Sequence, residues 1–149
     1  MGEVFDGNIL ARILLTLTVL GYGFVPILAD FNKTHATNPL WTPHARFHVV
    51  WQVLSYVGIG LLSLILIWSP GPLAVARLYF AAAIGAAIYL SFFATLGSMK
   101  LFGGKEYDSN GIQPWPVQIG SMTLKFDANI TVFSAVSIIL IVGVLLIRS

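Results

Sequence analysis

All three histidines of the chain lie within fourteen positions, at His35, His44 and His48. His44 and His48 are four residues apart, so in a helix that starts at Pro43 their rings share one face. Neutral imidazole is a good transition-metal ligand, and two rings one turn apart can aim at one ion. Asp30 precedes the stretch, and Asp127 stands just before the last apolar segment. His44, His48, His35, Asp30 and Asp127 are therefore the candidate metal set, adequate for Zn²⁺ or Fe. No HExxH pattern with a positioned base accompanies them. Without a metal, a histidine that titrates near neutrality serves as a general acid or base. A third reading places His44, Arg46 and His48 among lipid headgroups, with Arg46 on phosphate and Trp41, Trp51 and Trp115 as interfacial belt residues. Spacing alone leaves all three open, and a loop position leaves the geometry of His35 open as well.

Gln52 and Ser55 continue the His44–His48 stripe at helical spacing, so a polar line runs into an apolar segment. Polar groups there are costly unless they face a protein interior or water. Asp30, Glu106, Asp108, Asn129, Thr95 and Ser98 are expected at the same end. The composition says what that segment is. Hydrophobic residues make up 57% of the 149 positions and charged residues 9%, against roughly a quarter charged in a soluble domain. So few charges cannot cover a water-facing surface, whereas a bilayer removes the need. The net charge of +2 and the few charged side chains exclude a nucleic-acid partner, and the lack of cysteine excludes disulfides and thiolate metal sites.

A spanning helix needs about 20 mostly apolar residues. Four segments qualify: Asn8–Ala29, Pro43–Trp68, Leu73–Met99 and Ala128–Ile147. The expected fold is all-α and membrane-embedded, a four-transmembrane-helix bundle in a single integral domain over residues 1–149. The first segment follows an acidic start (Glu3, Asp6) rather than a basic one, which favours a retained helix over a cleaved signal. Thr42-Pro43 reads as cap and first helical residue, Ser69-Pro70-Gly71-Pro72 as a breaker, and Asp127 as the cap of the fourth span. Ala81, Ala82, Ala83, Gly85, Ala86 and Ala87, with Gly58 and Gly60, suit close helix packing in lipid. Arg77 is expected to snorkel to the interface. Tyr22, Tyr56, Tyr79 and Tyr89 either line a pocket or fill the bundle with their hydroxyls bonded.

The connection 100–126 is the longest. Val117–Ile119, Gly120-Ser121 and Met122–Phe126 read as a β-hairpin, because glycine leads a two-residue turn well, and Asn110-Gly111 as a further turn. The hairpin is expected to form a small cap on the bundle. Four spans put the first and third connections on one side and both termini on the other. The flanking Arg12, Arg77 and Arg148 favour cytoplasmic termini.

The run from Thr34 to Trp51, with Thr34, His35, Asn38, Pro39, Trp41, Pro43, His44, Arg46, His48 and Trp51 in place, resembles the signature of uncharacterised small bacterial four-span membrane proteins. The resemblance covers about twenty residues and implies the bacterial inner membrane but no activity. In size and span number the chain is similar to DoxX-like proteins and to the emopamil-binding group of sterol isomerases. The latter use acidic and histidine groups within the membrane, and the centres of these four spans hold no Asp or Glu. The expected function is a membrane protein with a His/Asp site at one membrane face. That site would bind a transition metal or a lipophilic small molecule, as an oxidoreductase or isomerase would. The alternative is a non-enzymatic accessory subunit of a larger membrane complex. The expected partners are the lipid bilayer, a lipophilic ligand, and membrane proteins or further copies of the chain.

Overall fold

The computed structural model describes residues 8–148. Four of its helical segments are long and apolar enough to cross a membrane: Ile9–Asp30, Pro43–Trp68, Ala74–Leu101 and Ala128–Leu145. The first is broken. Helix α1 (Ile9–Gly23) stops at Phe24, and α2 (Val25–Asp30) restarts with a proline in its first turn. Pro26 has no N–H to give and its ring crowds the carbonyl four residues back, so the single rod expected over 8–29 kinks there. Helix α3 (Pro43–Trp68) starts as expected, with Thr42 Oγ1 accepting from Ala45 N at 3.2 Å and proline at its first position. Helix α4 (Ala74–Ser98) runs on into a 3-10 turn, Met99–Leu101. Helix α5 (Ala128–Leu145) is capped by Asp127, whose Oδ1 accepts from Ile130 N at 3.0 Å.

Helix α1 packs against α3, α4 and α5, and α4 also packs against α3 and α5. Ala11, Leu15, Val19 and Tyr22 of α1 are buried with Leu78, Ala81, Ala82 and Tyr89 of α4. Close approach comes from glycine. A Cβ on Gly23 would stand 3.3 Å from the Gly60 Cα and from the Tyr56 carbonyl oxygen, so α1 and α3 cross backbone to backbone there. Gly58, expected to share that role, has open space around it. The buried hydroxyls are all bonded. Tyr22 donates to Ser63 Oγ at 2.8 Å, and Tyr89 to the Thr18 carbonyl at 2.7 Å. These two tyrosines fill the bundle rather than line a pocket.

At the other end from α2, Arg12 is fully buried and donates from Nη1 to the Ile67 carbonyl. Arg77 donates to the carbonyls of Ser69 at 2.7 Å and Pro70 at 3.0 Å, so its head lies at the short link between α3 and α4 and closes it. The hairpin forms with β1 (Trp115–Ile119) antiparallel to β2 (Met122–Phe126) around Gly120-Ser121. Gly120 has φ +62° and Ser121 a negative φ, as a turn with glycine in its first central position requires. All ten strand residues are exposed. The hairpin therefore stands off the bundle and is not the cap that the sequence suggested, because none of its apolar side chains turns inward.

Candidate functional site

Opposite the Arg12 end lies a cavity of about 1230 Å³. Its polar lining comes from Asp30 at the end of α2, from His35 and Trp41 in the loop 31–42, from His48, Gln52 and Tyr56 on α3, and from Asn129 on α5. Phe92 and Phe133, stacked with ring centroids 4.0 Å apart, form part of its apolar wall with Val25, Val49 and Val132. Along α3 the lining positions are 45, 48, 49, 52 and 56, one stripe at helical spacing. The neighbouring stripe, His44, Phe47 and Trp51, is exposed and forms an outer aromatic row. Of the polar line expected down this helix, His48 and Gln52 line the cavity and His44 lies outside it.

The proton positions around His35 follow from its neighbours. Asn32 Nδ2 donates to the carbonyls of Ala29 at 2.7 Å and Leu28 at 3.2 Å, which orients its amide. Its Oδ1 then accepts from Thr34 N at 2.8 Å and from the Thr34 hydroxyl at 2.6 Å. That hydroxyl has one proton and has spent it, so its 2.7 Å contact with His35 Nδ1 requires Nδ1–H to be the donor. Neutral His35 is therefore the Nδ1–H tautomer. Its Nε2 carries the lone pair and has no hydrogen-bond partner among the described residues. Asp30 Oδ1 lies 3.6 Å from Nδ1. Trp41 holds the ring edge-on at 5.3 Å between centroids.

Two loops close over this end as one piece. Asn38, with no exposure at all, exchanges two 3.2 Å amide bonds with Asn110, donates to the Thr34 carbonyl at 2.9 Å and accepts from Leu40 N at 3.0 Å. Trp41 Nε1 donates to Asp108 Oδ2 at 2.9 Å. That indole bond, and then the bond from Asn110 N, hold the Asp108 carboxyl below the usual carboxylate range. The expected turn at Asn110-Gly111 is part of this loop, with Gly111 N donating to the Asp108 carbonyl at 3.0 Å.

The five-residue ion site expected from the sequence does not assemble. Among the described residues, no three His, Asp or Glu side chains come together as ligands for one metal ion. His44 and His48 do converge, with Nε2 atoms 3.0 Å apart, His48 in the cavity lining and His44 outside it, and no third His, Asp or Glu joins them among the described residues. Asp127 is spent on the α5 cap, and Asp30 and His35 pair with each other. Thr95 and Ser98 bond back to their own helix. The wall of Phe92 and Phe133 had no warning in the sequence beyond residue type, and Asn38 was marked only as part of the Thr34–Trp51 signature, not as the link to Asn110.

A family model of unknown function fits residues 14–129. The chain belongs to the DUF6640 family. The DUF6640 region takes in every polar residue that lines the cavity and both loops that close it. No curated protein and no solved structure matches the chain.

Proposed function

We propose that this DUF6640 member is an integral membrane protein that binds a lipophilic small molecule at one membrane face, with the ligand's polar head on the His35 wall. The cavity supports this reading. Its volume of about 1230 Å³ exceeds the several hundred Å³ of ordinary small-molecule sites and suits a ligand with a long apolar part. One wall is aromatic and aliphatic. The other offers Gln52, Tyr56, His48 and His35, whose neutral form accepts at Nε2. The head that fits is a hydrogen-bond donor, such as a hydroxyl. Proton transfer to Nε2 is the chemistry this wall provides, with Asp30 stabilising the imidazolium and Thr34 fixing the ring.

The test uses purified protein in nanodiscs with two probes, 4-nonylphenol, which can donate a proton, and its methyl ether, which cannot. Native mass spectrometry should show one bound phenol and a methyl ether that binds about tenfold more weakly, the usual cost of one lost hydrogen bond at an enclosed acceptor. Ala45→Trp, which fills the cavity from α3, should abolish binding of both while the circular dichroism spectrum stays unchanged. Equal retention by the wild type and Ala45→Trp would remove the proposal.

A further inference from the structure

The hairpin that stands off the bundle has two chemically different faces. Its register sets Trp115 opposite Phe126, Val117 opposite Leu124, and Ile119 opposite Met122. Alternation puts these six large apolar side chains on one face. The other face carries Pro116, Gln118, Thr123 and Lys125, and Lys125 is the one charged residue in the two strands. Five residues per strand extend about 17 Å. All six apolar side chains keep exposed surface, from 38% at Leu124 to 63% at Met122. An isolated two-stranded hairpin is marginal in water, and a contiguous apolar patch of this kind marks an interaction surface.

We infer that this face lies on the phospholipid surface of the bilayer that holds the four helices, an inference that rests on the membrane reading proposed above. Continuity with the spans argues for lipid as the occupant. Strand β2 ends at Phe126, Asp127 caps α5, and α5 begins at Ala128, so the base of the hairpin is fixed at the end of a spanning helix. The end of α4 presents Leu101, 88% exposed, at the same side of the chain. The charge pattern agrees. The apolar face has no charge to desolvate, Trp115 is a residue type suited to the headgroup boundary, and Lys125 points from the opposite face, where its ammonium stays in water within reach of lipid phosphate. The hairpin is thus a β counterpart of an interfacial amphipathic helix. It anchors the long loop whose other part, through Asn110 and Asp108, closes the cavity.

The chain has no cysteine, so single labels can be placed without other changes. Nitroxides on Ile119→Cys and Leu124→Cys report the apolar face, and on Gln118→Cys and Thr123→Cys the polar face. One on Leu62→Cys reports the outer surface of α3, where Leu62 is 62% exposed. In phosphatidylcholine–phosphatidylglycerol nanodiscs, the apolar-face labels should show an oxygen-to-nickel-chelate accessibility ratio at least about threefold above the polar-face labels, as for side chains seated about 5–10 Å into the headgroup boundary. Equal access of the nickel chelate to both faces, with the Leu62 label in lipid, overturns the inference and leaves the membrane reading standing. Apolar-face labels shielded from both reagents also overturn it, in favour of a protein partner. Dipolar broadening that disappears on dilution with unlabelled protein would identify that partner as a second copy. A Leu62 label open to the nickel chelate overturns the membrane reading itself.

Discussion

His35 shows what a sequence can and cannot say about a side chain. Its type marked it as a candidate, yet its role depends on a relay through Asn32 and Thr34 that exists only once the loop 31–42 has folded. Replacing Thr34 with Val removes the acceptor that fixes the tautomer, and should weaken 4-nonylphenol binding about tenfold with little effect on the methyl ether. Asn38 is the structural counterpart. Asn38→Ala removes its bonds to the Thr34 carbonyl, Leu40 N and Asn110 and should cost about 1 kcal/mol, read as a lower unfolding temperature. Asp108 sets a pH limit on the same loops. Its folded pKa is depressed, so its contribution is full above the unfolded carboxylate value of about 3.9. It is lost as pH falls through the lower, folded value. Protection of the loop 31–42 against hydrogen exchange should begin to fall below the unfolded value and be lost once pH has passed the folded one. In Asp108→Asn the loop should exchange faster throughout, without that acid step.

At the scale of elements, apolar length and punctuation made most of the fold legible. The starts of α3 and α5, with Thr42 and Asp127 as caps, and the Gly120-Ser121 hairpin lie where composition and turn chemistry put them. Three things were not legible. The kink at Phe24 was hidden because a proline inside a long apolar run still reads as a span. The division of the α3 polar line depends on helix rotation, which tertiary packing decides. The role of a glycine depends on what crosses it: Gly60 meets Gly23, whereas Gly58 meets nothing. Gly23→Leu or Gly60→Leu should therefore destabilise the protein by about 1–3 kcal/mol through overpacking, and Gly58→Ala by no more than about 0.5 kcal/mol. Thermal unfolding in one detergent compares all three.

Across the whole molecule, chemistry is distributed unequally. One end is closed by the Arg12 and Arg77 guanidinium groups on backbone carbonyls. The other holds a cavity roofed by two loops that Asn38–Asn110 and Trp41–Asp108 bind together. Bringing the first and third connections together is what four spans require, and the shared lining by His35 and Ile112 shows it. A single measurement bears on the central claim. The chain has three histidines, so ¹⁵N-histidine NMR of the protein in nanodiscs resolves each imidazole. Free protein should show His35 as the Nδ1–H tautomer with an unprotonated Nε2. Adding 4-nonylphenol should shift that Nε2 signal saturably, move His48 less, and move the outward-facing His44 least. A free His35 in the Nε2–H form, or three signals that drift together without saturating, would contradict the account.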